Sequence, residues 1–117
     1  MILQIGATRI LVCPPEGEPI GAGNANDLIA DAIGQQADGV AVPVERLRTE
    51  FFRLASGAAG EIAQKAVNYG LHLFVVGDIA AAIAASESFA AFVRETNRGR
   101  HLWFVADLQA IRERLTA

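Results

Sequence analysis

The chain is poor in the features that mark several large classes of protein. It carries one cysteine, Cys13, among 117 residues, which excludes an internal disulfide and fits a reducing compartment. No segment approaches the roughly 18 uninterrupted apolar residues that a membrane-spanning helix needs. The N-terminus shows no basic region followed by a long apolar run. We therefore expect a cytoplasmic protein with no membrane contact.

Basic residues are scarce as well. Lys and Arg number 10 against 13 Asp and Glu, the formal net charge is -3, and the two signs are mixed along the chain. Because nucleic-acid binding depends on a basic patch that neutralises phosphates, we expect no nucleic-acid partner. The 52% of hydrophobic residues is enough for a core. The length favours one domain over residues 1–117.

Motifs of known catalytic and metal sites are also missing. The chain has no G-x-S-x-G elbow, and no Gly-Lys-Ser/Thr follows its glycine-rich segments. The two histidines, His72 and His101, have no third ligand nearby and fit strand-edge positions better than a metal site. Cys13 stands in an apolar strand beside proline, as a buried sulfur would. We expect no catalytic set, no metal and no cofactor.

The hydrophobic pattern that is present predicts alternating strands and helices. "ILQIGATRILVCPP" predicts a β-hairpin with a short turn, and a Gly/Pro/Asn-rich loop follows it. Asn26 is then expected to cap a helix over "DLIADAIGQQ", followed by a strand at "GVAVPV" and a short amphipathic segment, "LRTEFFRL". Such alternation indicates an α/β domain with a mostly parallel sheet and an N-terminal hairpin.

The last third of the chain contains two similar segments, which we call the internal echo. "NYGLHLFVVGDIAA" and "NRGRHLWFVADLQA" align without gaps and pair Val76 with Val105 and Asp78 with Asp107. Each copy predicts a helix end, a strand and a helix start, and the continuous apolar runs are typical of parallel strands covered on both faces. Asp107 and Ser86 are placed to cap the helices that follow them.

The stretch "SGAAGEIAQKAVNYG", from Ser56 to Gly70, predicts a helix over about residues 58–68. One side of this helix is apolar, and the other carries Glu61, Gln64, Lys65 and Asn68 at helical spacing. This polar strip has two interpretations: a solvated face stabilised by a Glu61–Lys65 ion pair, or a surface that binds a partner.

The small residues at the helix start also allow two interpretations. They let the helix pack closely on the sheet with Ser56 as its cap. They also leave backbone N–H groups at Ser56 and Gly57 that could receive an anion or small ligand. Parallel sheets bind ligands beyond the carboxyl ends of their strands, and Asp78 and Ser86 fall at the same edge. Asp78 and Asp107 could together serve acid–base or Mg²⁺ chemistry in a small hydrolase, although aspartate after a strand is usually a helix cap.

Residues spread over most of the chain resemble a bacterial family called domain of unknown function 4180. The resemblance covers roughly Asn26 to Leu115, with "NANDLIADA" as a loose fit. It is carried by "FFRLASGAAGEIAQKAVNYG", "VVGD", "SFAAFVRETNRG" and "FVADLQAI". The resemblance implies no particular activity.

More distantly, the element order resembles the STAS domains of anti-sigma-factor antagonists and sulfate transporters. In that family an Asp-Ser-Ser-Gly motif leads into a helix, and a kinase phosphorylates the serine after the aspartate. Here Leu54 stands at the aspartate position and Ala55 at the phosphorylated one, while Ser56 and Gly57 match. The resemblance implies a STAS-like layered sheet with helices mostly on one side and a role in protein contact.

Three functional hypotheses follow. The first is a small STAS-like regulatory or protein-interaction module that uses the polar strip beyond Ser56. The second is a small-ligand or anion-binding domain at the strand-end edge, and the third is the hydrolase using Asp78 and Asp107. A homodimer is expected as well, since an apolar sheet face without helices needs a cover.

Overall fold

The computed structural model describes all 117 residues and contains five strands and five α-helices. In chain order these are β1 (Ile2–Ile5), β2 (Thr8–Val12), α1 (Ala25–Gly34), β3 (Gly39–Pro43), α2 (Ala58–Asn68), β4 (His72–Val76), α3 (Ala80–Ala85), α4 (Glu87–Asn97), β5 (Leu102–Val105) and α5 (Leu108–Thr116). Three short 3₁₀ turns occupy the segment between β3 and α2. The predicted hairpin and the alternation of helices and strands are confirmed.

The five strands form one sheet in the order β1-β2-β3-β4-β5. β1 pairs with β2 antiparallel, and the remaining neighbours are parallel, so the predicted mostly parallel sheet is confirmed. β4 and β5 pair with Leu73 opposite Leu102 and Val76 opposite Val105. This is the register of the internal echo, because the two copies build adjacent strands with their ends in step.

Helices α1 to α4 lie on one face of the sheet and enclose the main core. This core has 19 buried residues, to which α1, α2 and α4 contribute side chains at helical spacing, while Ala82 of α3 packs against it partly buried. In α2, for example, Ala59, Ile62 and Ala66 are buried, whereas Glu61 and Gln64 are exposed. Burial at about 25 cal/mol per Å² of apolar surface is what holds these amphipathic helices on the sheet.

The opposite face is covered by α5 alone. Ile111 of this helix is fully buried against a smaller group of six residues that includes Ala41, Phe74 and Trp103. The Arg114 guanidinium lies 3.7 Å from the centre of the Trp103 ring, a cation–π contact that adds to apolar burial. A nine-residue helix cannot cover a five-stranded sheet, and part of this face is left open.

Some local predictions are wrong. Helix α1 starts at Ala25 rather than after Asn26. The side-chain amide of Asn24 stabilises the loop before α1: its Oδ1 accepts from Gly21 N at 2.8 Å, and its Nδ2 donates to Pro19 O at 2.9 Å. The short amphipathic segment "LRTEFFRL" forms the 3₁₀ turn Thr49–Phe52 and leads into the 3₁₀ turn Leu54–Ser56.

His72 begins β4, as its predicted strand-edge position implies, but its ring is only partly exposed. Its ring stacks on Phe74 with 4.1 Å between centroids and meets Trp103 edge-on at 4.2 Å. Its Nε2 is buried without a hydrogen-bond partner. Burial, followed by the nearby charges of Arg114 and His101, lowers the pKa of His72 from 6.5 to about 4, so this ring stays neutral at pH 7.

The protein should therefore lose stability as the pH falls from above 6.5 towards 4. In that window the unfolded chain protonates His72 and the folded chain does not. The free energy of unfolding falls by about 1 to 2 kcal/mol once solvent screening of the partly exposed ring is included. Urea unfolding at pH 7.5 and 5.0 measures the loss. His72→Phe should reduce it and His101→Phe should not; an unchanged loss in His72→Phe would contradict this role.

Candidate functional site

An apolar cleft of about 640 Å³ opens at the carboxyl ends of β2 to β5, on the α5 side of the sheet. Its floor consists of Val12, Ala41 and Val76, which point from three adjacent strands towards the face that α5 covers only in part. Pro15 and Pro43 stand beside them where β2 and β3 end. The cleft is thus the part of the sheet face that α5 leaves open.

A sharp bend at the end of β4 shapes this cleft. Gly77 has a φ of 141°, and a Cβ atom there would lie 2.5 Å from a methyl group of Val44. Only glycine accepts both this backbone conformation and this close approach without strain. The bend carries the chain away from the sheet face and leaves the floor at Val76 accessible.

Few polar groups line the cleft. Asp107, Glu45 and Gln109 are its polar side chains besides the Cys13 thiol. Asp107 Oδ1 accepts a hydrogen bond from Ala110 N at 2.8 Å and so caps α5, as its sequence position predicts. Cys13 is 7% exposed, and burial raises the pKa of its thiol, so this sulfur is protonated at neutral pH and a poor nucleophile.

The chain itself uses most of the hydrogen-bonding groups at the Ser56 corner. The Ser56 Oγ lies 2.6 Å from the carbonyl oxygen of Glu50 and 2.7 Å from that of Arg53, which share its single hydroxyl proton, and it accepts from Ala58 N at 3.2 Å. The Gly57 N–H donates to Leu54 O at 3.1 Å. The corner is exposed, but these amides are not free for an anion as the sequence suggested.

Gly57 gives the corner its shape. Its φ of 79° is in the left-handed region, which lets the last 3₁₀ turn reverse directly into α2. This is the reason for the small residues where the segment turns into the helix: Ala58 and Ala59 are buried against the core at the first turn.

The polar strip of α2 is partly engaged within the protein. Gln64 Nε2 donates to Asn68 Oδ1 at 2.9 Å. The Lys65 ammonium donates to Ala22 O at 3.0 Å and thereby holds the loop before α1, which is not the Glu61 pairing expected from helical spacing. Glu61, Gln64 and Asn68 stay exposed.

The structure does not gather the predicted strand-edge residues into one site. Ser56 and Glu61 line a hollow of about 220 Å³ beside Ala22, whereas Ser86 lines a different, open hollow of about 710 Å³ between the 3₁₀ turns and α3. Asp78 Oδ1 accepts from Ala80 N at 2.9 Å, and Ser86 Oγ accepts from Phe89 N at 3.1 Å. Both side chains serve as helix-start caps.

Asp78 and Asp107 lead into helices on opposite faces of the sheet. Ile79 and Ala82, at the start of α3, pack against the main core, and Leu108 of α5 packs against the smaller core. Each carboxylate is bonded to a backbone N–H of the helix that follows it. This arrangement is that of two separate caps and does not favour a paired acid–base site.

The residues that form the cleft floor were missed in the sequence. Val12, Ala41 and Val76 are ordinary strand residues, and nothing in their identity marks them as surface-lining. The only available signal was their position as the last inward residues before strand ends, the edge at which parallel sheets bind ligands.

Comparison with known proteins identifies a family. The model of a family described as a domain of unknown function (DUF4180) matches residues 5–115. The chain belongs to this family. No curated protein and no solved structure matches it, so the more distant relation to STAS domains stays a prediction for this DUF4180 member.

Two further properties bear on what the DUF4180 chain could bind. No group of three or more His, Cys, Asp or Glu side chains has an arrangement that could hold a metal ion. None of its helices has the length and apolar character to cross a lipid bilayer.

Replacing Ser56 with alanine should destabilise the fold by about 1 to 2 kcal/mol, because Glu50, Arg53 and Ala58 would all lose a hydrogen-bond partner. Thermal or urea unfolding measures this change. Ser88→Ala, at an exposed serine in the first turn of α4, is the matched control and should change the free energy of unfolding by less than about 0.5 kcal/mol. Equal stability of the two variants would show that the Ser56 bonds do not hold the corner.

Proposed function

We propose that the protein binds a small ligand with an apolar body in the cleft at the carboxyl ends of β2 to β5. The observation that carries this proposal is the open sheet floor at Val12 and Val76, with the buried Ala41 between them. Its volume of about 640 Å³ lies within the range of roughly 300–1,000 Å³ typical of small-molecule sites.

The location and the chemistry of the lining support the same proposal. Open α/β sheets bind ligands beyond the carboxyl ends of their strands, and the cleft lies at that edge. Its walls are mainly apolar, and the polar side chains of Glu45, Asp107 and Gln109 line it and can orient a ligand. The larger hollow beside Ser86 is framed by 3₁₀ turns and the short α3, which are less rigid supports than a sheet.

Filling the cleft should abolish ligand binding without unfolding the protein. Ala106 lines the cleft and is exposed, so Ala106→Trp adds a large side chain there at little cost to the core. A panel of metabolites and nucleotides, screened by thermal shift, should contain a compound that stabilises the wild type. At 100 times its dissociation constant, such a ligand adds about 2.7 kcal/mol.

The control variant is Ala30→Trp, at an exposed alanine of α1 away from the cleft lining. It should keep the ligand-induced shift that Ala106→Trp loses. A shift that survives in Ala106→Trp, or a panel that stabilises neither the wild type nor the control, counts against the cleft as a ligand site.

A second candidate function is regulatory protein contact through α2. The observation in its favour is the exposed strip of Glu61, Gln64 and Asn68, which continues into Tyr69 with 59% of its surface exposed. Tyrosine presents a large contact area at low entropic cost and is enriched at interfaces. Lys65 is not substituted in the test of this surface, because its ammonium donates to Ala22 O and stabilises the loop there.

If α2 is a contact surface, Gln64→Ala combined with Tyr69→Ala should weaken capture of a specific partner from cell extract by at least about tenfold, the loss expected from one interface aromatic. Mass spectrometry after pull-down measures the captured proteins. Arg112→Ala, on the exposed side of α5, is the control. Identical captured sets for both variants and wild type, with folding verified, would exclude α2 as the contact surface.

A further inference from the structure

The outer edge of β1 carries hydrogen-bonding groups that no part of the chain uses. Val12 N–H donates to Met1 O at 2.8 Å, which makes these two residues a hydrogen-bonded pair of the antiparallel ladder. Bonded and non-bonded positions alternate along such a strand. Leu3 therefore also bonds towards β2, whereas the N–H and C=O groups of Ile2 and Gln4 point away from the sheet.

At the opposite edge of the sheet, one outward N–H has a partner within the chain. At β5 the side chain of Asn97 reaches the outer edge, where its Oδ1 accepts from Phe104 N at 2.7 Å. β1 has the sequence "ILQI", with no charge and no proline. Proteins commonly protect a free edge strand by making it very short, or with a charge, a proline or a covering segment. β1 is short, with four residues, but carries no charged side chain and no proline, so its outward groups are available for pairing.

We propose that the edge of β1 pairs antiparallel with the same edge of a second copy of this chain, about a two-fold axis at Leu3. In this register Ile2 and the partner subunit's Gln4 exchange two hydrogen bonds, and Gln4 and the partner subunit's Ile2 exchange two more. The contact is isologous, as closed dimers require. The result is one continuous sheet of ten strands.

The side chains suit this register. Alternate residues of a strand share a face, and Leu3 and Ile5 pack towards the α5 side, so the side chain of Met1 lies on that side as well. Across the axis Leu3 would meet the partner subunit's Leu3, and Met1 the partner subunit's Ile5. Met1 is 70% exposed, and the pairing gives it an apolar neighbour at the short cross-strand distance of non-bonded pairs.

The dimer is independent of the proposed ligand site, because neither β1 nor Met1 lines the carboxyl-edge cleft. It also relocates the dimer contact that the sequence suggested, from the apolar sheet face to the sheet margin. A second copy offers a matched apolar row on the α5 side by symmetry. Addition of a peptide from another protein to the same edge would instead leave the isolated chain monomeric.

Sedimentation velocity and amide hydrogen exchange on the full chain test the proposal together. We expect a concentration-dependent dimer in which the Gln4 N–H is protected at high concentration and exchanges freely on dilution. The Leu3 N–H should be protected in both states because it bonds within the chain. A monomer at all concentrations, or a dimer with an unprotected Gln4 N–H, would overturn the proposal.

Substitution of Gln4 isolates the edge bonds from the fold. Gln4→Pro removes an outward N–H that β2 does not use, and should weaken the dimer by about 10- to 100-fold through loss of one hydrogen bond in each copy. Gln4→Val keeps this N–H and should dimerise as the wild type does. Should Gln4→Pro fail to fold, Gln4→Lys places a charge at the joint on each copy and should likewise dissociate it; full dimerisation of a folded Gln4→Lys would contradict the proposed register.

Discussion

The organisation of the molecule depends on one constraint: the strands lie in the sheet in the order in which they occur in the chain. Crossovers between parallel strands have a single hand, so a sheet that grows in one direction places every crossover helix on the same face. Helices α1 to α4 all follow this rule and enclose the larger core. The other face is left to α5, the one helix with no strand after it.

The ligand cleft and the margin at β1 both relate to this unequal cover. α5 is fixed over the sheet by the burial of Ile111 and by the contact of Arg114 with Trp103, and the sheet extends beyond it in two directions. At the carboxyl ends of the strands the uncovered floor forms the apolar cleft. At the β1 margin, the uncovered part of the sheet face includes Met1 and Leu3, beside a strand without a charged side chain or a proline.

Local pattern in the sequence predicted the elements and even a pairing register. The internal echo aligned Val76 with Val105, and these residues are partners in the sheet, because two similar units that end in step must pair in step. The caps at Ser86 and Asp107 were predictable because each cap bonds to a backbone N–H only three residues further along the chain. Contacts between distant segments were not predictable. Lys65 bonds to Ala22, which lies 43 residues away, and the identity of no single residue marks the position of the cleft.

The central claim is that the α5 side of the sheet is open at the carboxyl ends of its strands, while the other side is sealed. Methyl NMR with a neutral nitroxide cosolvent tests it most directly, since the nitroxide broadens only the signals it can approach. We predict broadening of the Val12 and Val76 methyl signals and none for Val40 and Val42, which are 3% and 1% exposed on the sealed side. Equal protection of all four valines would show that the face is closed and would contradict this account.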